Sequence, residues 1–290
     1  MSTGDDEDVC QCGCRCKDVL CCVACLYKAG RYALVMKKTT SAMITCTMCK
    51  QTFSDSTIQK LAAFLQKVVR ELPPGHSKRV KAELLGVDML MLAKDPAPAQ
   101  QALHDLMSQY ASVLGEDHES FASLEYRLGV YRLRRGELAE ARTLLLSAEE
   151  KQASAPGAPL CRVLNTRAML AVVFWKLGSA ASGAQQRSYL HSAECLLRNA
   201  VARLRTLLGE LHPCFLSHQS NFSQLLALRH SALRTRLQRQ RFETAMHAVE
   251  HTLRLRRHVH GSGDERTKRA ALRLAGMRAR LEETRSGRGL

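Results

Sequence analysis

Aromatic residues are scarce in this chain. Phe, Tyr and Trp together make up 5% of its 290 residues, and there is one tryptophan. A platform on which bare nucleic-acid bases stack needs several aromatics on one face, and no such cluster occurs. Proline is rare as well, with seven in the chain, so little interrupts a helix. No run of eighteen apolar residues is present, which excludes a helix crossing a bilayer. The opening residues, "MSTGDDEDV", are acidic and polar, so no secretory signal is expected there. A reducing compartment follows, cytoplasmic or nuclear, in which clustered thiols bind metal rather than form disulfides.

Cysteine is abundant, and its placement is lopsided. Nine of the twelve cysteines precede residue 50. Cys22-x2-Cys25, twenty residues, then Cys46-x2-Cys49 form two short ligand pairs joined by a longer segment. Each CxxC turn aims two sulfurs at one point, and two turns complete a tetrahedron around zinc. The intervening "LYKAGRYALVMKKTTSAMIT" has apolar and β-branched stretches on either side of Gly30, as the two small strands of a zinc ribbon would. Metal binding would then supply much of the folding energy of this segment. Four thiolates leave no open coordination position, so the expected zinc is structural. The alternatives are a redox pair or cysteines that share no ligand. A redox CxxC belongs at a helix start in a βαβ setting, which this sequence lacks. Cys10, Cys12, Cys14 and Cys16 alternate, so all four do not easily face one ion. Three of them with Cys21, or with a ligand from elsewhere, would make a second zinc site; the other reading is a spare thiol exchanging into the first.

Beyond residue 55 Leu and Ala dominate, and strand-like alternation is missing. Ser54 or Ser56 caps a first helix that stops at Pro73-Pro74-Gly75. A second, from about Ser77 to Lys94, places Val80, Leu84, Val87 and Met91 on one stripe. "DPAP" at Asp95 to Pro98 breaks it, and a third runs to Leu114. The next begins near His118, carries Phe121, Leu124, Leu128 and Tyr131 on a face, ends at Arg135-Gly136, and is followed by "ELAEARTLLLSAEEKQ". Five more are expected over Cys161–Leu177, Gln185–Leu208, Pro213–Leu237, Phe242–Val259 and Glu265–Thr284. A phrase recurs at Leu114 and Leu208. A Gly-Glu-x-His turn starts a helix, a basic turn ends it, and a helix with small residues (Ala139 and Ala141, then Ala245 and Ala248) follows. The fold class expected is mainly α: an antiparallel helical-hairpin, tetratricopeptide-like array over 53–290, preceded by a cysteine-rich zinc-binding segment over 1–52. His118 and His212 read as caps, Trp175 as core, Cys161, Cys195 and Cys214 as buried thiols, and "GSG" at Gly261 to Gly263 as a linker.

The order of a cysteine cluster, two CxxC pairs, a helix and then hairpins with Gly-x-x-His turns resembles the C-terminal half of the SET and MYND domain protein-lysine methyltransferases. The resemblance implies that Cys10, Cys12 and Cys16 belong to the end of the post-SET segment, where three cysteines and one from the SET domain hold a zinc. It implies that Cys22, Cys25, Cys46 and Cys49 are the following pairs. It brings no catalytic residue with it. No Asn-His-x-Cys cofactor segment, no catalytic tyrosine before the cluster and no MYND finger stands in these residues, and only nine residues precede Cys10. No methyl transfer is therefore expected from the chain alone. Either it is a fragment of a longer enzyme or it is an interaction module. Kinesin light chain repeats, with a similar Gly-x-x-His turn, resemble the helices but not the cysteine-rich front.

The formal net charge is +16, and from Val201 onward eighteen Lys and Arg face seven Asp and Glu. A basic end of this kind attracts an acidic protein segment or, without base specificity, nucleic acid. It also suits a merely solvated surface. The expected function is a zinc-stabilised helical scaffold that binds a protein or peptide, acidic in character. The fragment of a methyltransferase and a non-specific nucleic-acid binder are the alternatives.

Overall fold

The computed structural model describes residues 9–11, 20–22, 26–28, 43–45, 52–230 and 235–285. Two three-residue strands, β1 (Val9–Gln11) and β2 (Leu20–Cys22), pair antiparallel with Cys10 opposite Cys21. Ten helices follow among the described residues. They are α1 (Asp55–Val69), α2 (Ser77–Leu90), α3 (Ala97–Leu114), α4 (Glu119–Arg135), α5 (Leu138–Ser154), α6 (Leu160–Ala180), α7 (Gly183–Leu208), α8 (Pro213–Arg229), α9 (Arg236–His260) and α10 (Glu265–Arg285). None of them is long and apolar enough to cross a membrane. The chain divides into two compact units, Met1–Arg135 and Gly136–Leu290.

In the first unit α1 packs on α2, α2 on α3, and α3 on α4. Ser54 is the N-cap of α1, its hydroxyl accepting from the Thr57 N–H at 3.3 Å, which satisfies a donor the helix itself leaves open. Ile58, Leu61 and Leu65 repeat at helical spacing and are buried. The expected stripe of α2 holds, with Val80, Val87 and Met91 buried and Leu84 half-buried. Phe121, Leu124, Leu128 and Tyr131 of α4 are all buried as their spacing predicts. A bidentate ion pair from Arg127 to Asp88, at 2.8 and 2.9 Å, ties α4 to α2.

In the second unit each helix from α5 to α10 packs on the next, and α6 also touches α8. Ala168 and Ala171 of α6, Ala193, Leu197 and Ala200 of α7, and Leu225 of α8 form one fully buried cluster. Small side chains at these crossings let the helix axes approach closely. Ala141 and Ala245 are fully buried, as expected for close approach. Ala139 instead faces solvent, because two alanines two residues apart cannot both lie on a helix's inner face, while Ala248, three residues after Ala245, shares its side of the helix and is half-buried.

Three further expectations need correction. Helix α8 ends at Arg229 rather than near Leu237, and α9 begins at Arg236, well before Phe242. A capping box decides the second boundary: the Thr235 hydroxyl accepts from Gln238 N–H, and the Gln238 side chain accepts from Thr235 N–H. The "GSG" run is no linker. Gly115, Gly209 and Gly261 have φ of 82, 80 and 83°, each closing one helix. Three residues on, His118, His212 and Asp264 each accept from backbone N–H groups opening the next helix. Gly261–Asp264 is thus a third copy of the Gly-x-x-His turn, with an aspartate doing the capping. The left-handed backbone that starts each copy is why glycine stands there.

Candidate functional site

Of the expected zinc ligands, Cys10 and Cys22 lie on β1 and β2, while Cys12, Cys16, Cys25, Cys46 and Cys49 lie outside the described residues. Two backbone features bear on the metal. The hairpin pairs Cys10 with Cys21 and Val9 with Cys22, so cysteines of the early cluster and of the first CxxC share adjacent strands. Thr45 and Thr52, on either side of the Cys46–Cys49 segment, form an antiparallel bridge, and the Phe53 N–H donates to the Ile44 carbonyl at 2.8 Å. Leu26–Lys28 are helical, and the paired strands precede the segment in which a ribbon was expected. Among the described residues no group of three or more His, Cys, Asp or Glu side chains could hold a metal.

A Cys-His-Asn trio, not foreseen as a group from sequence, lies between α6 and α8. His218 is 3 % exposed, and its Nε2 lies 2.7 Å from the Asn165 carbonyl oxygen. An amide oxygen only accepts, so Nε2 carries the proton and the buried Nδ1 is the bare nitrogen, for which there is no partner. The Cys214 thiol donates to the same Asn165 oxygen at 3.5 Å. Burial, helped by Cys161, pushes the Cys214 pKa up to about 11. Burial pulls that of His218 down to about 4. A nucleophilic cysteine needs the reverse shifts, a thiolate beside an imidazolium. The trio is therefore a neutral polar knot inside the core. Cys161 and Cys214 are half-buried, whereas Cys195 is exposed, contrary to the expectation for it.

Each unit also has a cavity among its described residues. The first unit holds an open one of about 860 Å³ against α1, α2 and α3. Its lining includes Gln59, Gln66, Lys67 and Gln101, with Arg79 and Glu83 beneath. Glu83 is 5 % exposed; it accepts from Arg79 Nε at 2.7 Å and from the Tyr110 hydroxyl. Arg79 also donates to the Leu72 carbonyl at 2.8 Å. Burial and the neighbouring carboxylate push the Tyr110 pKa well above the usual phenol range.

The cavity of the second unit is smaller, about 360 Å³, and chemically sharper. Trp175 of α6, Leu228 of α8, and Phe242 and Met277 of α9 and α10 give it an apolar floor. Arg273 and Arg280 of α10, both exposed residues, stand at it. Trp175 is therefore half-buried at a cavity wall, not a plain core residue. Gly276 lines the same space, and a Cβ built there would meet nothing within 4 Å. Glycine in a helix interior costs about 1 kcal/mol against alanine, so packing gives no reason for it. Its effect is open volume next to two cations. Other arginines of the unit have carboxylate partners: Arg229 and Arg198 share Glu194, Arg205 pairs with Glu210, and Arg278 pairs with Glu250 at 2.8 Å.

No protein-family model matches the sequence, and no curated protein matches it. Solved structures with a similar course of helices include a Podosopora anserina chain described as "kinesin light chain nearly identical TPR-like repeats". It is 17% identical, with a TM-score of 0.46, over 81% of this chain and 96% of that one. BtubC (BKLC) from P. vanneervenii is 13% identical, with a TM-score of 0.47, over 79% of this chain and 91% of that one.

Proposed function

We propose that the chain is a protein-interaction module whose second unit takes an apolar side chain flanked by carboxylates. The observation that carries the reading is the 360 Å³ cavity with an apolar floor and Arg273 and Arg280 beside it. The floor supplies affinity by burying an apolar anchor, at roughly 25 cal/mol per Å² before the costs of association. The two exposed arginines steer an acidic segment and set salt dependence more than they set affinity. Burial raises the Cys214 thiol and lowers the His218 imidazole, the opposite of an activated nucleophile, so that pair does not compete with the cavity as the site.

The single tryptophan makes the reading testable, since Trp175 is both the chain's only indole and a wall of the cavity. Peptides selected by display on the purified chain should enrich for an apolar residue among Asp and Glu. Their binding should shift Trp175 emission. Gly276→Leu, which fills the cavity, should abolish the shift while leaving the helical circular dichroism unchanged. Arg280→Glu should weaken binding more at low salt than at high salt. Selected peptides that bind Gly276→Leu as tightly as the parent chain would remove this pocket as the docking site.

The front of the chain is read with it as a zinc-held segment. The thiolates of Cys22, Cys25, Cys46 and Cys49 would hold one structural zinc, and the chemistry zinc supplies there is cross-linking. The Cys10–Cys21 register and the Thr45–Thr52 bridge support a fold that draws cysteine-bearing segments together. Cys10, Cys12 and Cys16 are the candidates for a second site. Metal analysis should return at least one zinc per chain. Cys46→Ser should lose it with most helicity retained, because every expected ligand precedes the first of the ten helices in sequence.

A further inference from the structure

Arg256 lies on the inner stripe of α9 with Val249, Thr252 and Leu253, and is 6 % exposed. Its Nη2 donates to the Leu216 carbonyl of α8 at 3.1 Å, but its buried Nε has no partner. The charge around it has the same sign. Arg266 and Arg273 of α10, both exposed, act on it, and burial together with these neighbours lowers its pKa to about 10 despite Asp264. The Asp264 carboxylate is already engaged in capping α10. One of its oxygens accepts from the Arg266 and Thr267 N–H groups, both at 3.0 Å, and from the Thr267 hydroxyl at 3.3 Å. Arg273 reaches towards α8 as well, with Nη1 3.5 Å from the Ser220 hydroxyl.

Among the described side chains, three guanidinium groups against one carboxylate leave two positive charges where α8, α9 and α10 meet, and Arg269 adds to the field at Arg273. A buried cation without its counter-charge is costly. A dianion with several acceptor oxygens would neutralise both charges and accept from guanidinium forks, which match phosphate geometry better than a lysine does. A single carboxylate would leave one charge unmatched. We propose that the junction of α8, α9 and α10 is a phosphate-binding site, with Arg256 as its buried floor, Arg266 and Arg273 as its solvent-facing clamp, and the Ser220 hydroxyl as a neutral donor. The site shares Arg273 with the apolar cavity but does not depend on peptide docking there. A free phosphate ion and a phosphorylated side chain of a partner carry the same group.

The experiment is thermal unfolding and phosphorus NMR of the full chain with inorganic phosphate, against chloride at matched ionic strength. Phosphate should raise the melting temperature beyond the chloride effect, and its resonance should broaden. Arg273→Gln, a surface change that leaves the fold intact, should weaken phosphate about tenfold, the loss expected for one charge-assisted contact. Arg256→Lys keeps the charge but loses the fork, and should weaken it similarly. Arg236→Gln, about 30 Å away at the other end of α9, should have no effect. Gly276→Leu should keep phosphate binding even where it abolishes peptide binding, which separates this site from the neighbouring pocket. A phosphoserine peptide that competes with phosphate, when its unphosphorylated form does not, identifies a partner's side chain as the source. Competition by neither, with inorganic phosphate bound, identifies the free ion. A phosphate response no larger than that to chloride overturns the site. So does a phosphate response unchanged in both Arg273→Gln and Arg256→Lys, or one lost equally in Arg236→Gln.

Discussion

Replacing Glu83 with alanine is expected to lower the unfolding free energy of the first unit by about 3–5 kcal/mol. The carboxylate is 5 % exposed and is the shared acceptor for Arg79 and Tyr110. Removing it leaves a guanidinium with a side-chain exposure of 16% facing no counter-charge, and a buried phenol with no acceptor. Both are desolvated groups that lose their partner, and that penalty exceeds what the intact pair contributes. Arg79 keeps its bond to the Leu72 carbonyl, which favours the lower end of the range. The triple replacement Arg79→Met, Glu83→Leu and Tyr110→Phe should recover most of the loss, because it removes the phenol along with the ion pair and leaves only the half-buried Leu72 carbonyl to turn to water. Urea unfolding, with hydrogen exchange in α2 to assign the unit, measures all three proteins. A Glu83→Ala loss below about 1 kcal/mol would show that water reaches the network.

Acidification is expected to weaken the second unit by up to about 3 kcal/mol between pH 7 and pH 4 through His218 alone. Its pKa is lowered from 6.5 to about 4 in the folded chain by burial. Below pH 6.5 the unfolded chain takes up a proton that the folded chain refuses. The stability contributed by neutral His218 is therefore complete above pH 6.5 and is lost as pH falls towards 4. His218→Gln removes this titration while retaining an amide that can donate to Asn165. Its unfolding free energy should fall less steeply over the same interval. An identical slope in the variant would mean that His218 protonates as readily folded as unfolded.

The order of helices was legible because their apolar residues repeat at helical spacing, and their ends because Ser54, His212 and the glycines at 115 and 209 carry their own turn chemistry. The turn at Gly261 went unread because an aspartate stands where the other two copies have histidine, although both side chains accept from the same backbone donors. The burial of Glu83 could have been read from its spacing, although the expected stripe named Leu84 instead. Glu83 stands three residues after Val80 and four before Val87, so the stripe that buries them carries it inside. Its acceptor role was not legible, since Tyr110 lies 27 residues away on another helix. Likewise Arg256 shares its face with Val249 and Leu253. Yet a lone sequence treats an arginine there as a side chain that can snorkel to solvent.

Local physics thus determined what each segment is. Side-chain periodicity sets the helices, short-range hydrogen bonds set their caps, and the cysteine spacing sets the expectation of a metal. Tertiary structure alone decided which charges matter. The many arginines after Val201 look alike in sequence. Packing pairs Arg229 and Arg278 with carboxylates, buries Arg256 beneath Arg266 and Arg273, and leaves Arg273 and Arg280 at a cavity. The reason is the range of the forces. A cap or a stripe depends on residues three or four apart. The energy of a charge depends on solvent and counter-charges brought to it by helices 40 or more residues distant, as Leu216 is brought to Arg256.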